Sequence, residues 1–251
     1  MKTKHYTMMT VAATTLLAFS LPVLAAKTDK GIESSAKESY VFKTYLKDDA
    51  IKIDANDGVV TLTGTVANNA HKLLAQETVA VLADVKSVEN KLEIKDPPAE
   101  KSDAWLLTKV KTTLLFHRSV SAKTEVDIKD GIVTLNGAAS SPAQRELTTE
   151  YVKDIEGVKD VKNKMTVAGV AQEQQQTIGE KIDDSSLTAQ VKMTLLYHRS
   201  TSAINTKVIT KNGVVTLTGE ALNTAEIDLA TKLANDVNGV GSVENKMTIA
   251  K

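Results

Sequence analysis

One eight-residue string is written three times into this chain. It reads Asp57-Gly58-Val59-Val60-Thr61-Leu62-Thr63-Gly64, then Asp130-Gly131-Ile132-Val133-Thr134-Leu135-Asn136-Gly137, then Asn212-Gly213-Val214-Val215-Thr216-Leu217-Thr218-Gly219. An Asn-Lys pair follows the first glycine of each copy at the same distance, 32 residues from glycine to asparagine: Asn90-Lys91, Asn163-Lys164 and Asn245-Lys246. A spacing that persists while most side chains change marks a copied folding unit, so the repeated quantity is a fold and not one active site. Each unit is about 65 residues long, enough for a modest core that buries roughly 60% of its unfolded surface.

The second copy shows the plan. Ser102 or Asp103 caps a helix whose first turn carries Trp105 and Leu106, and Leu106, Val110 and Leu114 share one face. Leu187, Val191 and Leu195 do the same behind Asp184 and Ser185. A short strand (125–128, and 207–210) runs into Asp130-Gly131 or Asn212-Gly213. Such a pair between β-type runs signals a hairpin, because both residues accept positive φ. The next strand alternates Val133/Leu135 with Thr134/Asn136 and closes at Gly137, as its counterparts close at Gly64 and Gly219. Ser141-Pro142-Ala143-Gln144 and Asn223-Thr224-Ala225-Glu226 are capping boxes that open a second helix. Its expected buried stripe is Ala143, Leu147, Tyr151 and Ile155, or Ala225, Leu229, Leu233 and Val237. Gly157 and Gly239 supply a left-handed stop, and a last strand follows. The pattern predicts an α+β chain of three tandem α-β-β-α-β sandwiches, each a three-stranded mixed sheet with two helices on one face. The first copy departs from the plan. Asp84 replaces the stop glycine, the segment between Leu46 and Ile51 reads as about four residues shorter, and its first helix has Phe42 and Leu46 as core with Glu38 where leucine stands elsewhere.

The expected boundaries are 34–95, 101–167 and 183–251. Asp96-Pro97-Pro98-Ala99-Glu100 and a Gln-rich stretch at 171–176 read as linkers, so three beads with little mutual contact are the expected arrangement. Residues 1–26 read as a cleaved secretory signal: Lys2 and Lys4, an apolar run from Met8 to about Leu24, and small residues at Val23 and Ala25. The alternative is an uncleaved anchor, for which the run is short against a hydrocarbon core of about 30 Å. No later stretch is apolar enough to span a bilayer. An exported, periplasmic destination follows from the signal.

The chain has no cysteine, which removes disulfides, thiolate metal sites and thiol nucleophiles. Lys and Arg balance Asp and Glu at 31 each, and the three units count −1, +2 and 0, so there is no basic stripe for a nucleic acid. No Gly-rich phosphate loop precedes a helix, and no acid-base or nucleophile cluster is legible. His117 and His198 occupy equivalent places, but a shared zinc site would need two units to fold onto each other. No metal, cofactor or catalytic residue is expected.

The pattern Asp-Gly-x-Val-x-Leu-x-Gly, a second helix ending at Gly-Val and a final Val-x-Asn-x strand resemble the BON domain, in three copies that cover essentially the whole chain after the signal. The glycines that carry the resemblance are Gly58, Gly64, Gly131, Gly137, Gly157, Gly213, Gly219 and Gly239. The resemblance implies a non-enzymatic protein of the bacterial envelope. It would associate with phospholipid surfaces, protect against osmotic or envelope stress, or assist other exported proteins.

Two features stand out from plain architecture. The segment Thr113–Ala122 recurs as Thr194–Ala203, with Phe116-His117-Arg118-Ser119 matching Tyr197-His198-Arg199-Ser200. It reads as a helix C-terminus with Arg and His at the negative dipole end. On a second reading Arg118 and Arg199 meet an anion or lipid phosphate. Trp105, one turn before Lys109, is either a partly buried cover for the second helix or an interfacial anchor. Trp105, Lys109, Arg118 and Arg199 are therefore the candidate lipid contacts. Each cation near an anionic surface contributes about 1 kcal/mol, so binding would rest on multivalency. The expected partners are a phospholipid surface or, on the alternative reading, unfolded exported clients held by a chaperone. The sequence leaves the oligomeric state open.

Overall fold

The structure, a computed structural model, describes residues 21–120, 124–167, 181–201 and 205–250. Residues 1–20, which carry most of the expected signal, lie outside the described residues. So do the Gln-rich linker and the ends of the matching segments at 121–122 and 202–203.

The first unit is α1 (Leu21–Glu38), α2 (Tyr40–Thr44), β1 (Ala50–Asn56), β2 (Val59–Val66), α3 (Asn69–Ala80) and β3 (Ser87–Ile94). The second is α4 (Asp103–Phe116), β4 (Glu125–Lys129), β5 (Ile132–Asn136), β6 (Ala138–Ala139), α5 (Pro142–Lys153), β7 (Asp160–Asn163) and β8 (Thr166–Val167). The third is α6 (Asp184–Tyr197), β9 (Thr206–Lys211), β10 (Val214–Ala221), α7 (Thr224–Asp236), β11 (Ser242–Asn245) and β12 (Thr248–Ile249). Each sheet is mixed. Its middle strand pairs antiparallel with the first and parallel with the last, as in Ile53↔Leu62 and Leu62↔Asn90. The expected α+β sandwich is what the chain builds.

The repeated residues now have physical roles. Each Asn clips the last strand to the second helix. Asn163 Nδ2 donates to Arg145 O at 2.8 Å and Thr149 Oγ1 at 2.7 Å, while its Oδ1 accepts from Met165 N at 2.9 Å. Asn90 and Asn245 repeat the clip. Each hairpin is pinned by a carboxylate from the first helix. Asp103 accepts from the amides of Asp130 and Gly131 at 2.7 and 2.9 Å, and Asp184 from those of Asn212 and Gly213 at 2.6 and 2.8 Å. Gly64 has φ +114°, and a Cβ there would run into the Ala50 carbonyl oxygen, so the closing position of the motif admits no side chain. Asp84 takes φ +66° where Gly157 and Gly239 stand, which is the left-handed stop expected of it.

Three expectations need correction. In the first unit, Asp29 is the carboxylate that holds the Asp57 and Gly58 amides, at 2.9 and 3.0 Å. Its first helix therefore starts before residue 34. Ile32 and Ala36 fill the core positions, and the apparent shortening before Ile51 disappears. The helix breaks at Ser39, whose Oγ donates to Ala36 O, and α2 then delivers Val41 and Leu46 to the core with Phe42 at its edge. Second, the buried stripe of α5 and α7 is turned by about one residue at its start, though the expected Ile155, Leu233 and Val237 are buried at the far end. Gln144, Thr148 and Val152 are buried in α5, and Glu226, Ala230 and Ala234 in α7, while Ala143 and Ala225 are exposed. The cause is the capping box: Gln144 and Glu226 turn inward to accept from the amides of Ser140 and Leu222, both at 2.7 Å.

The third correction is the largest. The units are not loosely strung beads. The core of the first unit runs on into Ala189, Met193 and Tyr197 of α6 and Phe116 of α4. Helix α6 is buried at ten of its 14 residues. Leu187, Val191 and Leu195 face its own sheet, whereas Ala189, Met193 and Tyr197 pack into the first unit. Tyr40 N donates to Asp183 at 2.7 Å, Val41 N to Ser186 Oγ at 3.0 Å, and Lys192 pairs with Glu77 at 2.7 Å. A helix with apolar or small residues on several faces must be covered on each of them, and the Leu187-Val191-Leu195 stripe signals only the face that meets its own sheet.

Candidate functional site

The two matching corner segments meet. In each unit the chain leaving the first helix docks on the end of the other unit's second helix, and the two docks repeat one another about a pseudo-twofold axis. His117 bridges to Val237, and His198 to Ile155. Arg118 N donates to Asp236 O and Arg199 N to Asp154 O, both at 2.9 Å; Asn238 N donates to Phe116 O at 2.9 Å and Glu156 N to Tyr197 O at 3.4 Å. Four backbone hydrogen bonds therefore cross between the units.

Side chains lock this contact. His117 Nδ1 lies 3.1 Å from Asp236 Oδ2, and His198 Nδ1 lies 3.0 Å from Asp154 Oδ2. A carboxylate facing Nδ1 fixes the tautomer with the proton on Nδ1. Ser119 and Ser200 donate to the same two carboxylates. Tyr151 breaks the symmetry: its hydroxyl donates to Asp236 at 2.8 Å, and its ring stacks on His117 at 4.0 Å and meets His198 edge-on at 5.9 Å. Burial pushes the Asp236 carboxyl up, yet hydrogen bonds from His117, Ser119 and Tyr151 hold it below the ordinary carboxylate range. Asp154 is likewise raised by burial and more than offset by His198, Ser200 and the Arg199 charge. Burial holds the His117 imidazole below its ordinary value despite Asp236.

Behind the corners lies a polar seam between α4 and α6. Lys109, Thr113 and His117 follow at helical spacing on one side, and Gln190, Thr194 and His198 on the other, all buried. Among the described residues, the buried side-chain atoms without a protein partner are Thr113 Oγ1, His117 Nε2, Gln190 Oε1, Thr194 Oγ1 and His198 Nε2. All five belong to this seam. An unmet buried polar atom costs about 1–3 kcal/mol. The contact is thus specific in its pairing and weaker than an apolar one of the same area.

The candidate residues fall into place. Lys109 is not an exposed cation: its side chain is 8% exposed, paired with Glu156 at 3.1 Å, and its Nζ lies 4.5 Å from the Trp105 ring centroid and 5.4 Å from that of Tyr197. Trp105 is half-buried against the core of its own unit. Arg118 is exposed but caps the partner unit's α7 through Asn235 O and Val240 O. Arg199 reaches Lys153 O, and its Nε lies 3.7 Å from Asp154, with 52% of the side chain open to solvent. The structure joins Arg118 and Arg199 to one dock and places Lys109 beside it. The roles of Asp154 and Asp236 are not legible in the sequence, which offers Tyr151 only as part of a buried stripe. The available signal was that Asp154 and Asp236 each stand three residues before the stop glycine, where the first unit has Val81. That valine explains why the first unit is docked differently.

A metal site of three or more His, Asp or Glu side chains does not occur among the described residues, although the two units do fold onto each other as a shared site would require. No helix among them is long and apolar enough to cross a membrane.

Compared with known proteins, the chain matches the BON-domain profile over residues 28–96, 102–169 and 183–251. It is 31% identical over 147 residues to the osmotically-inducible protein Y of Escherichia coli, covering 58% of this chain and 71% of that one. It is 31% identical over 122 residues to the 21 kDa hemolysin of Actinobacillus pleuropneumoniae, covering 49% and 60%. It is 30% identical over 114 residues to the outer membrane lipoprotein DolP of Haemophilus influenzae, covering 45% and 56%.

Proposed function

This chain belongs to the BON-domain family, and on that premise we propose that it is an exported, non-enzymatic envelope protein that associates weakly with phospholipid surfaces under osmotic or envelope stress. The names of two relatives, osmotically-inducible protein Y and an outer membrane lipoprotein, support the setting. The observation that carries the lipid reading is an apolar end on the third unit. Leu222 is 75% exposed and Ile249 51% exposed, and Ile249 pairs with Ala221, the residue beside Leu222. A shallow groove next to them is lined by Leu229, Ala225, Thr201 and Arg199. Apolar side chains set beside a solvent-open guanidinium suit the boundary between acyl chains and phosphate. Each Arg or Lys near an anionic surface adds about 1 kcal/mol, so the association is weak and salt-sensitive.

Co-sedimentation with vesicles of phosphatidylglycerol and phosphatidylethanolamine at low salt tests this. The protein pellets with the vesicles, and Leu222→Ser with Ile249→Ser reduces the bound fraction several-fold without changing the circular dichroism. Equal binding by the double variant, or no binding by the parent, removes the lipid reading. A second reading, a holder of unfolded exported clients, has its own support: a groove of about 200 Å³ where α3, α6 and β9 meet, lined by Leu73, Leu196 and Val208 beside the Glu77–Lys192 ion pair. Suppression of client aggregation at stoichiometric amounts is its signature.

A further inference from the structure

We propose that the dock between the second and third units is a pH-operated latch, in which protonation of His117 loosens the two units from each other while each remains folded. The inference is independent of the lipid reading.

The geometry supplies every part. Both imidazoles are buried at a contact between units, both use Nδ1 on a carboxylate of the opposite unit, and both leave Nε2 without a protein acceptor. In the neutral tautomer Nε2 carries a lone pair, and burying it is a moderate cost. Protonation of His117 puts N–H and positive charge at that same buried position, with the His198 ring centroid 5.8 Å away. The facing groups are Asp236 at the end of α7, Asp154 at the end of α5, Tyr151 on α5, Ser119 and Ser200, with the guanidinium of Arg118 on the Val240 carbonyl after α7 and that of Arg199 beside Asp154. Lys109, two turns back on α4, adds positive charge to the seam, met by Glu156.

Asp236 favours the charged His117 ring. Against it stand burial, the neighbouring His198 and the unpartnered Nε2. At His117 burial prevails. The carboxylates stay ionised through mild acid, so the His117 imidazole is the group that changes. A histidine held neutral by the docked state stabilises docking above its ordinary value of 6.5. That stabilisation is lost as pH falls below 6.5 towards its docked value, because the undocked state binds the extra proton. The separation of dock from fold rests on the sheet cores of the second and third units, whose buried members each come from that unit alone.

Amide hydrogen exchange of the full chain reads this directly. The amides of Arg118, Glu156, Arg199 and Asn238 donate across the dock, whereas those of Gly131 and Gly213 lie in the hairpins of single units. Between pH 7.5 and 5, protection factors of the first four fall by about tenfold per pH unit below about 6.5, and those of the hairpin amides hold. The double variant His117→Asn with His198→Asn keeps a side-chain donor for each carboxylate but cannot titrate, and its dock amides show no such fall. Should that variant be undocked already at pH 7.5, the wild-type curve decides alone. Dock amides that stay protected at pH 5, that fall together with the hairpin amides, or that follow the same curve in a docked double variant overturn the latch.

Discussion

Replacing Asp236 by alanine removes one carboxylate that serves three donors. His117 Nδ1 at 3.1 Å, the Tyr151 hydroxyl at 2.8 Å and Ser119 Oγ all lose their acceptor. Ser119 is half-buried and can turn to water. His117, 3% exposed, cannot, and Tyr151 is hemmed in by its stack on that ring. Two orphaned donors at about 1–2 kcal/mol each give a loss of about 2–4 kcal/mol. Asp154→Ala is the internal control. Its carboxylate is more exposed than that of Asp236, 20% against 10%, and it serves one buried donor, His198, with Ser200 and Arg199 already at the surface. Its loss is about 1–2 kcal/mol by the same reasoning. Urea unfolding at pH 7.5, followed by Trp105 fluorescence and by far-ultraviolet circular dichroism, measures both. The order Asp236→Ala above Asp154→Ala follows from the placement of Tyr151 alone. Equal losses, the reverse order, or losses under about 0.5 kcal/mol would refute the reading of the dock as a hydrogen-bonded lock.

Further outcomes follow from the same coordinates. Asn163→Ala cuts the clip between strand and helix, removes the donor to Arg145 O and Thr149 Oγ1, orphans the Met165 amide, and lowers stability by about 1–3 kcal/mol in urea unfolding. Gly239→Ala places a Cβ 2.8 Å from Ile182 Cδ1 at φ +90° and costs at least ~1 kcal/mol by thermal unfolding, whereas Asp84→Gly relieves a non-glycine left-handed residue and is neutral or stabilising. Burial holds the hydroxyls of Tyr45, Tyr151 and Tyr197 well above their ordinary value of 10. They stay neutral when folded and ionise when unfolded, so stability declines as pH rises past about 10, as a pH series of melting temperatures would show.

The sequence made the unit legible because its signals are local. Asp130-Gly131 dictates a turn, Ser141-Pro142 a helix start, and Val133/Leu135 a buried face, each within a few residues. What it hid is long-range. Asp29 was missed because its role, holding the Gly58 amide, is 29 residues away and spans a helix break at Ser39. The inward turn of Gln144 and Glu226 was missed because a capping glutamine is read as solvent-facing by type. The dock was half visible: Phe116-His117-Arg118-Ser119 and Tyr197-His198-Arg199-Ser200 announced that their corner does more than end a helix. Their acceptors, Asp236 and Asp154, stand 119 and 44 residues away from the two histidines, and no periodicity connects them. A polar stripe such as Gln190-Thr194-His198 reads as a solvated face until another helix is known to cover it.

The central claim is that the second and third units form one docked body. The absence of cysteine allows clean labelling at exposed positions of α5 and α7, Glu146→Cys with Asp228→Cys. Pulsed electron-spin distance measurement between nitroxides at those sites at pH 7.5 gives a single narrow distribution if the dock holds. A broad distribution extending over tens of ångströms, as a flexible tether would produce, contradicts the account.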